Sequence, residues 1–303
     1  MKTITVSSGK GGVGKSSITA IIALYLARKQ NKQIVYADCD VDAPNAHILL
    51  NLKEKDFYEK EEIFASEKAT LIAEKCIHCR KCISADICNF NAISWNKEKN
   101  IPEFNKYLCE GCGSCSLICP AKAIVLKKVK NAILRIAKTS YGFPLITAQL
   151  EIGESGSGKI VTEVRKKAEK LAEKNKADLI LIDGAPGIGC PVIASIQGTD
   201  YVIAVTEPTP AALHDLSRLI TLAKYFQAKT GIIINKYDLN LKMTEKIETY
   251  AKEQNAPLLA KIPYDERFIK ALVWQDEILL QTLSETYVPD ILKAIKSIQS
   301  FSI

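Results

Sequence analysis

The sequence predicts an α/β fold, a doubly wound and mostly parallel sheet, interrupted by a smaller α+β insert. Three observations predict it. Short apolar runs such as KTITV, QIVYAD, LILID, YVIAV and GIIIN recur between stretches whose apolar residues have helical spacing, the alternation that builds parallel βαβ units. A glycine-rich turn, SSGKGGVGKSS at 7–17, falls between the first of these runs and the first helical stretch. Eight of the ten cysteines lie between Cys76 and Cys119, where the alternation stops.

Taken in order, residues 2–6 form a strand, the glycine turn follows, and SSITAIIALYLARKQ is a helix with apolar residues on one face. QIVYADCD at 33–40 is a second buried strand ending in acids. The charged stretch KEKDFYEKEE breaks the pattern, and the cysteine segment follows. From residue 129 strands return as NAILRIA and PLITAQLEI, then the helix VTEVRKKAEKLAEKNK, then ADLILIDGAPG. DYVIAVTEP, TGIIINK and PLLAKIP alternate with helices to the end. Residues 1–63 and 129–303 are therefore two parts of one sheet domain, and 64–128 is an insert in a surface connection.

A chain of 303 residues accommodates about two domains, and 47% hydrophobic with 25% charged residues is ordinary globular composition. The amino terminus enters a strand without a basic and apolar leader, so no export is expected. The run ITAIIALYLA falls short of the roughly 18–20 residues of a membrane helix, so the protein is expected to be cytoplasmic, without membrane association. In such a compartment, cysteines at ligand spacing point to metal rather than disulfides.

GKGGVGKS at 9–16 matches G-x-x-x-x-G-K-[ST] between a strand and a helix, which makes it a nucleotide phosphate loop. Gly9, Gly11, Gly12 and Gly14 let backbone N–H groups approach phosphate oxygens, and Ser17 lies with them at the helix start. Lys15 reaches the β- and γ-phosphates and Ser16 holds Mg2+, so ATP and Mg2+ are the expected ligands.

The insert contains a repeat. CIHCRKCISADICNFNAIS at 76–94 aligns with CEGCGSCSLICPAKAIV at 109–125. The second run is spaced C-x2-C-x2-C-x3-C-P, as in iron-sulfur carriers. Zinc, the competing ion, prefers two C-x-x-C pairs, whereas three close cysteines and a distant fourth match vertices of a cubane. The first run has five residues between Cys82 and Cys88, and Asn89 in place of proline, so the two centres are not equivalent. His78 is expected to be an exposed loop residue.

Lys10 makes the phosphate loop resemble the deviant-Walker group that includes MinD, ParA, the Mrp-type carriers and the nitrogenase iron protein. The resemblance implies a homodimer, or a heterodimer with a paralogue, that closes on ATP, with Lys10 reaching the partner's nucleotide. DCDVDAPN at 38–45 resembles the group's first switch, which implies that Asp40 orients the attacking water and Asp38 stands nearer the Mg2+ shell. LILIDGAPGIG resembles the second switch, in which Asp183 binds a Mg2+ ligand water and Gly187 senses the γ-phosphate. In NKYD, Asn235 is placed to contact adenine, and Pro263 of IPYDERF to pass over the base.

The cysteine runs resemble bacterial two-cluster ferredoxins, in which the fourth cysteine of each run ligates the other cluster. That resemblance implies two 4Fe-4S clusters, one on Cys76, Cys79, Cys82 and Cys119, the other on Cys109, Cys112, Cys115 and Cys88. At roughly −2 each when oxidised, two clusters would lower the formal charge of +7 to about +3, and no nucleic-acid partner is expected.

Together these resemblances imply a MinD-superfamily ATPase with an inserted ferredoxin-like domain, slow without its partner. Its nucleotide cycle would be coupled to electron transfer toward a redox or metallocluster client. Two alternatives stay open: a cluster-assembly carrier, against which the lack of any cysteine after Cys190 argues, and a positioning ATPase with a redox-sensing insert. GESGSGK at 153–159 imitates the phosphate loop, but Ile160 replaces the metal-binding hydroxyl, and a mobile loop is expected. Cys190 and Cys39 are expected to be buried, and DILKAIKSIQSFSI to pack on the sheet as a helix.

Overall fold

A computed structural model describes residues 1–84, 86–154 and 156–297. Its strands are β1 (Lys2–Ser8), β2 (Ile34–Asp38), β3 (Phe57–Ile63), β4 (Ser66–Leu71), β5 (Ile93–Asn96), β6 (Ile101–Phe104), β7 (Ile124–Val129), β8 (Ala132–Lys138), β9 (Pro144–Leu150), β10 (Leu179–Pro186), β11 (Tyr201–Thr206), β12 (Lys229–Asn235) and β13 (Leu258–Ile262). The helices are α1 (Lys15–Lys29), α2 (Ala46–Leu49), α3 (Lys81–Ser84), α4 (Ser114–Ile118), α5 (Ser157–Asn175), α6 (Cys190–Ile196), α7 (Pro210–Tyr225), α8 (Leu241–Glu253), α9 (Arg267–Trp274) and α10 (Glu277–Ser297). The chain forms two compact units, Glu62–Ile133 with Leu150–Gly156, and the remainder.

The larger unit is built on a sheet ordered β13-β12-β11-β1-β10-β2-β9-β8-β3. Every pairing from β13 through β9 is parallel. Such strands are covered on both faces, so they read as continuous apolar runs rather than alternating ones. β11 shows the division: Tyr201, Ile203 and Val205 face a core shared with α1 and α10, while Val202 and Ala204 face one shared with α6, α7 and α8. Ile21 and Leu24 of α1 are almost wholly buried, and truncating either to alanine would cost about 2–5 kcal/mol. β1 lies between β10 and β11, so the chain winds outward in both directions from it, and the crevice at its carboxyl end is where such sheets bind ligands.

Three expectations need correction. The charged stretch 53–62 does not break the sheet; most of it is β3, the edge strand beside β8. Edge strands tolerate charge because one side meets water, and Glu59 and Glu61 both pair with Lys167, at 2.5 and 2.9 Å. The last three residues of GESGSGK are no mobile loop: Ser157, Gly158 and Lys159 open α5, and a Cβ on Gly158 would stand 3.0 Å from that of Cys190. Ser155 of that motif is outside the described residues. Cys190 itself is exposed at the start of α6, because the Gly187–Gly189 turn carries it clear of the sheet; Cys39 is buried. In the carboxyl-terminal helix Ile291, Leu292 and Ile295 join the core, and residues 298–303 lie outside the described residues.

The smaller unit carries two antiparallel pairs, β4 with β7 and β5 with β6. Each half runs strand, cysteine loop, short helix, strand, and the halves exchange strands. Its buried core is Ala69, Cys82, Ala92, Cys109, Cys115 and Ile124, so half of that core is cysteine. Fewer than 80 residues with so little aliphatic burial need a covalent or metal staple to hold a fold.

Candidate functional site

The phosphate loop joins β1 to α1. Gly14 caps α1 in the left-handed region, φ 90°, where a Cβ would collide with the Asn235 amide, so only glycine fits. The loop is held by hydrogen bonds from four directions. Ser8 Oγ donates to Lys10 O (2.8 Å), Gly187 N–H to Ser8 O (2.9 Å), Asn235 Nδ2 to Val13 O (2.8 Å) and Lys236 Nζ to Gly12 O (3.1 Å). No side chain caps the amino terminus of α1 and no acid stands in its first turn, which includes Ser16 and Ser17. Its N–H groups and dipole are thus directed at whatever anion enters the loop.

Beneath the loop, buried charges meet. Lys15 Nζ lies 2.5 Å from Asp183 Oδ1 and 3.2 Å from Ser16 Oγ; the Lys15 side chain is 6% exposed and that of Asp183 0%. Asp183 also accepts from Thr19 Oγ1 (3.2 Å) and Tyr36 OH (3.3 Å). Asp38 accepts from the N–H groups of Asp40 and Ala46, each at 3.2 Å, and from Thr147 Oγ1 at 3.4 Å. Burial, and then the Asp183 charge, push the Asp38 carboxyl up to about 7 against the pull of Lys15. Burial raises Asp40 as well, with Lys15 opposing. For Lys15 burial disfavours the charge, but Asp183 outweighs it and the net shift is upward. One ammonium thus serves three carboxylates, and the region is short of positive charge. That fits Mg2+, which takes one or two carboxylates and completes its shell with water and phosphate.

Lys10, at the loop's crest, pairs with Glu207 Oε1 at 2.8 Å, and Lys236 holds the other oxygen at 3.1 Å. Burial works against the Glu207 charge, yet the two lysines hold its carboxyl below the usual range. Neither Glu207 nor Lys236 stood out in the sequence. The available signal was position: Glu207 directly follows the buried strand β11, as Asp40 follows β2. Asn235, at the end of β12, spends its amide on Val13 O and its oxygen on Lys236 N–H, at 3.0 Å. Pro263 follows β13 in a turn where Tyr264 N–H donates to Asp238 Oδ1 (2.7 Å). Gly187 adopts φ 96° beyond β10. Thus Asp38, Asp40, Gly187, Asn235 and Pro263 stand at or just beyond the carboxyl ends of parallel strands, the edge from which the phosphate loop departs, and Asp183, within β10, pairs with Asp38.

In the smaller unit the cysteines divide around two small cavities, each of about 20 Å3. Cys76, Cys79, Cys82 and Cys119 line one; Cys88, Cys109, Cys112 and Cys115 line the other. Among the described residues no three metal-ligating side chains are grouped to hold a single ion. Backbone N–H groups point at the sulfurs: Ala92 to Cys88 (3.3 Å), Ala123 to Cys119 (3.2 Å) and Ala69 to Cys109 (3.4 Å). Burial pushes the Cys115 thiol up to about 11, with Cys109 and Cys112 adding to it. His78 is exposed, its Nδ1 2.7 Å from Asn100 O. Among the described residues no helix is long and apolar enough to cross a membrane.

The family model of the CobQ/CobB/MinD/ParA nucleotide binding domain matches residues 4–276. An uncharacterised protein of Methanocaldococcus jannaschii is 41% identical over 239 residues, 78% of this chain and 79% of that one. The septum site-determining protein MinD of Helicobacter pylori is 25% identical over 279 residues, 88% of this chain and 80% of its own. Among solved structures, a chain of the MinC:MinD cell division complex of Aquifex aeolicus superposes with a TM-score of 0.59, covering 100% of this chain and 98% of that one at 18% identity, a likeness of fold. With a phosphate loop at the centre of a parallel sheet and a family match spanning most of its length, the chain belongs to the CobQ/CobB/MinD/ParA nucleotide-binding family, whose MinD and ParA members are ATPases.

Proposed function

We propose that this chain is an ATPase whose Mg-ATP cycle governs electron transfer through two 4Fe-4S clusters to a redox or metallocluster client. It would work as a dimer with a second copy or a paralogue. One observation carries the proposal: eight cysteines lie four and four around two cavities, each three from one run and the fourth from the other. Three closely spaced cysteines joined by a fourth from the other run suit a polynuclear centre better than one zinc ion, which prefers two C-x-x-C pairs. Backbone N–H groups aimed at sulfur and a core that is half cysteine agree with an anionic thiolate-held centre at each cavity. Such centres supply reversible one-electron storage.

The chain's own residues suggest how nucleotide acts. Lys15 is spent on Asp183 and Lys10 on Glu207, so phosphates entering the loop compete for both ammonium groups. If Lys15 turned to phosphate, Asp183 and, once its proton had passed to solvent, Asp38 would be the carboxylates left to hold Mg2+. Asp40, less buried, is the carboxylate left to orient the attacking water. Lys10, freed from Glu207, becomes available to a partner's nucleotide across the dimer.

The test is anaerobic purification with iron and sulfide counted, then a redox titration followed by electron paramagnetic resonance with and without a non-hydrolysable Mg-ATP analogue. About eight irons per chain and a nucleotide-dependent change in signal or potential are expected. Zinc in place of iron would overturn the proposal. The extensive match to Helicobacter MinD favours a second reading, a positioning ATPase; ATP-dependent co-sedimentation with liposomes or DNA would select it.

A further inference from the structure

The two cysteine cavities are related by the repeat but carry opposite charge. Residues 77–82 correspond to 110–115 at an offset of 33. Among the described residues, the cavity of Cys76, Cys79, Cys82 and Cys119 is lined by Arg80 and Lys81 and by no acid. The cavity of Cys88, Cys109, Cys112 and Cys115 is lined by Glu110 and by no base. At the equivalent positions Arg80 and Lys81 face Gly113 and Ser114, and Glu110 faces Ile77.

The backbone shows that these cations are held in place. Arg80 has φ 59° and its counterpart Gly113 φ 80°, so both loops need the left-handed region that glycine enters freely and a long side chain does not. Crowding does not explain the glycine, since a Cβ on Gly113 would meet only Leu126 Cδ1 at 3.6 Å. Arg80 therefore accepts a conformational cost its counterpart avoids. Its guanidinium sits 4.9 Å over the Trp95 ring and donates to Asn100 Oδ1 at 3.5 Å. Ile77, His78, Cys79, Arg80 and Lys81 form an unbroken exposed run, with Ile77 61% exposed. A sulfur lining the cavity thus reaches the surface between an apolar contact and two cations. At the other cavity the exposed sulfur, Cys112, follows Glu110 instead.

Resting on the electron-transfer function proposed above, we infer that the Ile77–Lys81 face is the docking site of an acidic one-electron carrier protein and that Cys79 is the point of electron passage. Arg80 and Lys81 attract and orient the acidic surface, Ile77 supplies the dry contact, and Glu110 repels the same partner from the other cavity. Each encounter passes one electron and no bond or proton between the proteins: the carrier is oxidised by one as the centre behind Cys79 is reduced by one, or the reverse, and any proton the carrier's flavin takes up or releases is exchanged with solvent.

The probe is flavodoxin, a small acidic carrier, with basic cytochrome c as the contrast. Calorimetry of oxidised flavodoxin with the oxidised full-length protein reads docking alone, and stopped-flow mixing with the dithionite-reduced protein reads transfer. Binding that weakens with added salt is expected, together with about a tenfold loss of affinity and of transfer rate in the Arg80→Gln/Lys81→Gln double variant. Lys81→Gln alone, which leaves the Arg80–Trp95 contact intact, should lose part of this, and Glu110→Gln nothing. Equal affinity in the double variant with about eight irons retained would overturn the docking site while sparing the cluster proposal. Tighter binding of cytochrome c would overturn it too. Protein without iron would sink both.

Discussion

At the nucleotide end of the sheet, Lys15 has Asp183, Lys10 has Glu207 and Asn235 has Val13 O before any ligand arrives. In the insert, four cysteines line each of two small cavities, and burial, with Cys109 and Cys112 adding to it, pushes the Cys115 thiol up. The lysines of the first region are already paired and must exchange partners to bind; the second region has a core that is half cysteine. The difference teaches that binding at the nucleotide end must replace existing ion pairs, whereas the insert has few aliphatic contacts to hold it.

The sharpest way to break that comparison is to remove one sulfur. Cys115→Ala should empty its cavity and unfold much of the insert, seen as rapid hydrogen exchange across 62–133 with the sheet's protection unchanged; a protected insert would show that it does not depend on its centres. Next in size is Asp183→Asn, which leaves a buried ammonium without its nearest carboxylate and should cost about 3 kcal/mol of nucleotide-free stability, measured by urea denaturation. Hydrolysis should be lost as well. A neutral result would mean the pair is not formed in solution.

The pH dependence sharpens the same point. The raised carboxyl of Asp38, near 7 when folded and about 3.9 unfolded, holds a proton in the native state that the unfolded chain has released. Its contribution is complete below about pH 4 and is lost as pH rises through 7, on the order of 4 kcal/mol. The nucleotide-free protein should lose more stability over that window than Asp38→Asn does, and parallel curves would refute the assignment. Smallest is Glu207→Gln. It should change stability by less than about 1 kcal/mol, since Lys10 is partly exposed, yet lower the ATP concentration needed for dimerisation in analytical ultracentrifugation. Lys10→Ala should abolish that dimerisation, and unaltered association in both would remove Lys10 from the dimer contact.

Much of the fold was legible because its signals are local. A buried parallel strand must be apolar throughout, so β1, β2, β10, β11 and β12 announce themselves, and a phosphate loop needs its glycines and lysine in consecutive positions. β3 was not legible, since an edge strand with water on one side carries the charge that elsewhere marks a loop. Thr147 and Tyr36 around the buried acids were also missed, because each looks like an ordinary strand residue until distant strands are brought together.

By itself the sequence determined the chemistry available: which residues can bind phosphate, which can ionise, and where eight thiols are spaced as ligands, since spacing along a chain sets what a single loop can reach. Only the tertiary structure decided the partners. That Lys10 rests on Glu207, that Lys15 lies against Asp183, and that Cys119 and Cys88 each join the opposite run depends on residues far apart in the chain meeting once the strands pair. Burial makes the Lys15–Asp183 pairing the strong one, because in low dielectric an unpaired charge is too costly to keep, whereas the partly exposed Lys10–Glu207 pair exchanges readily.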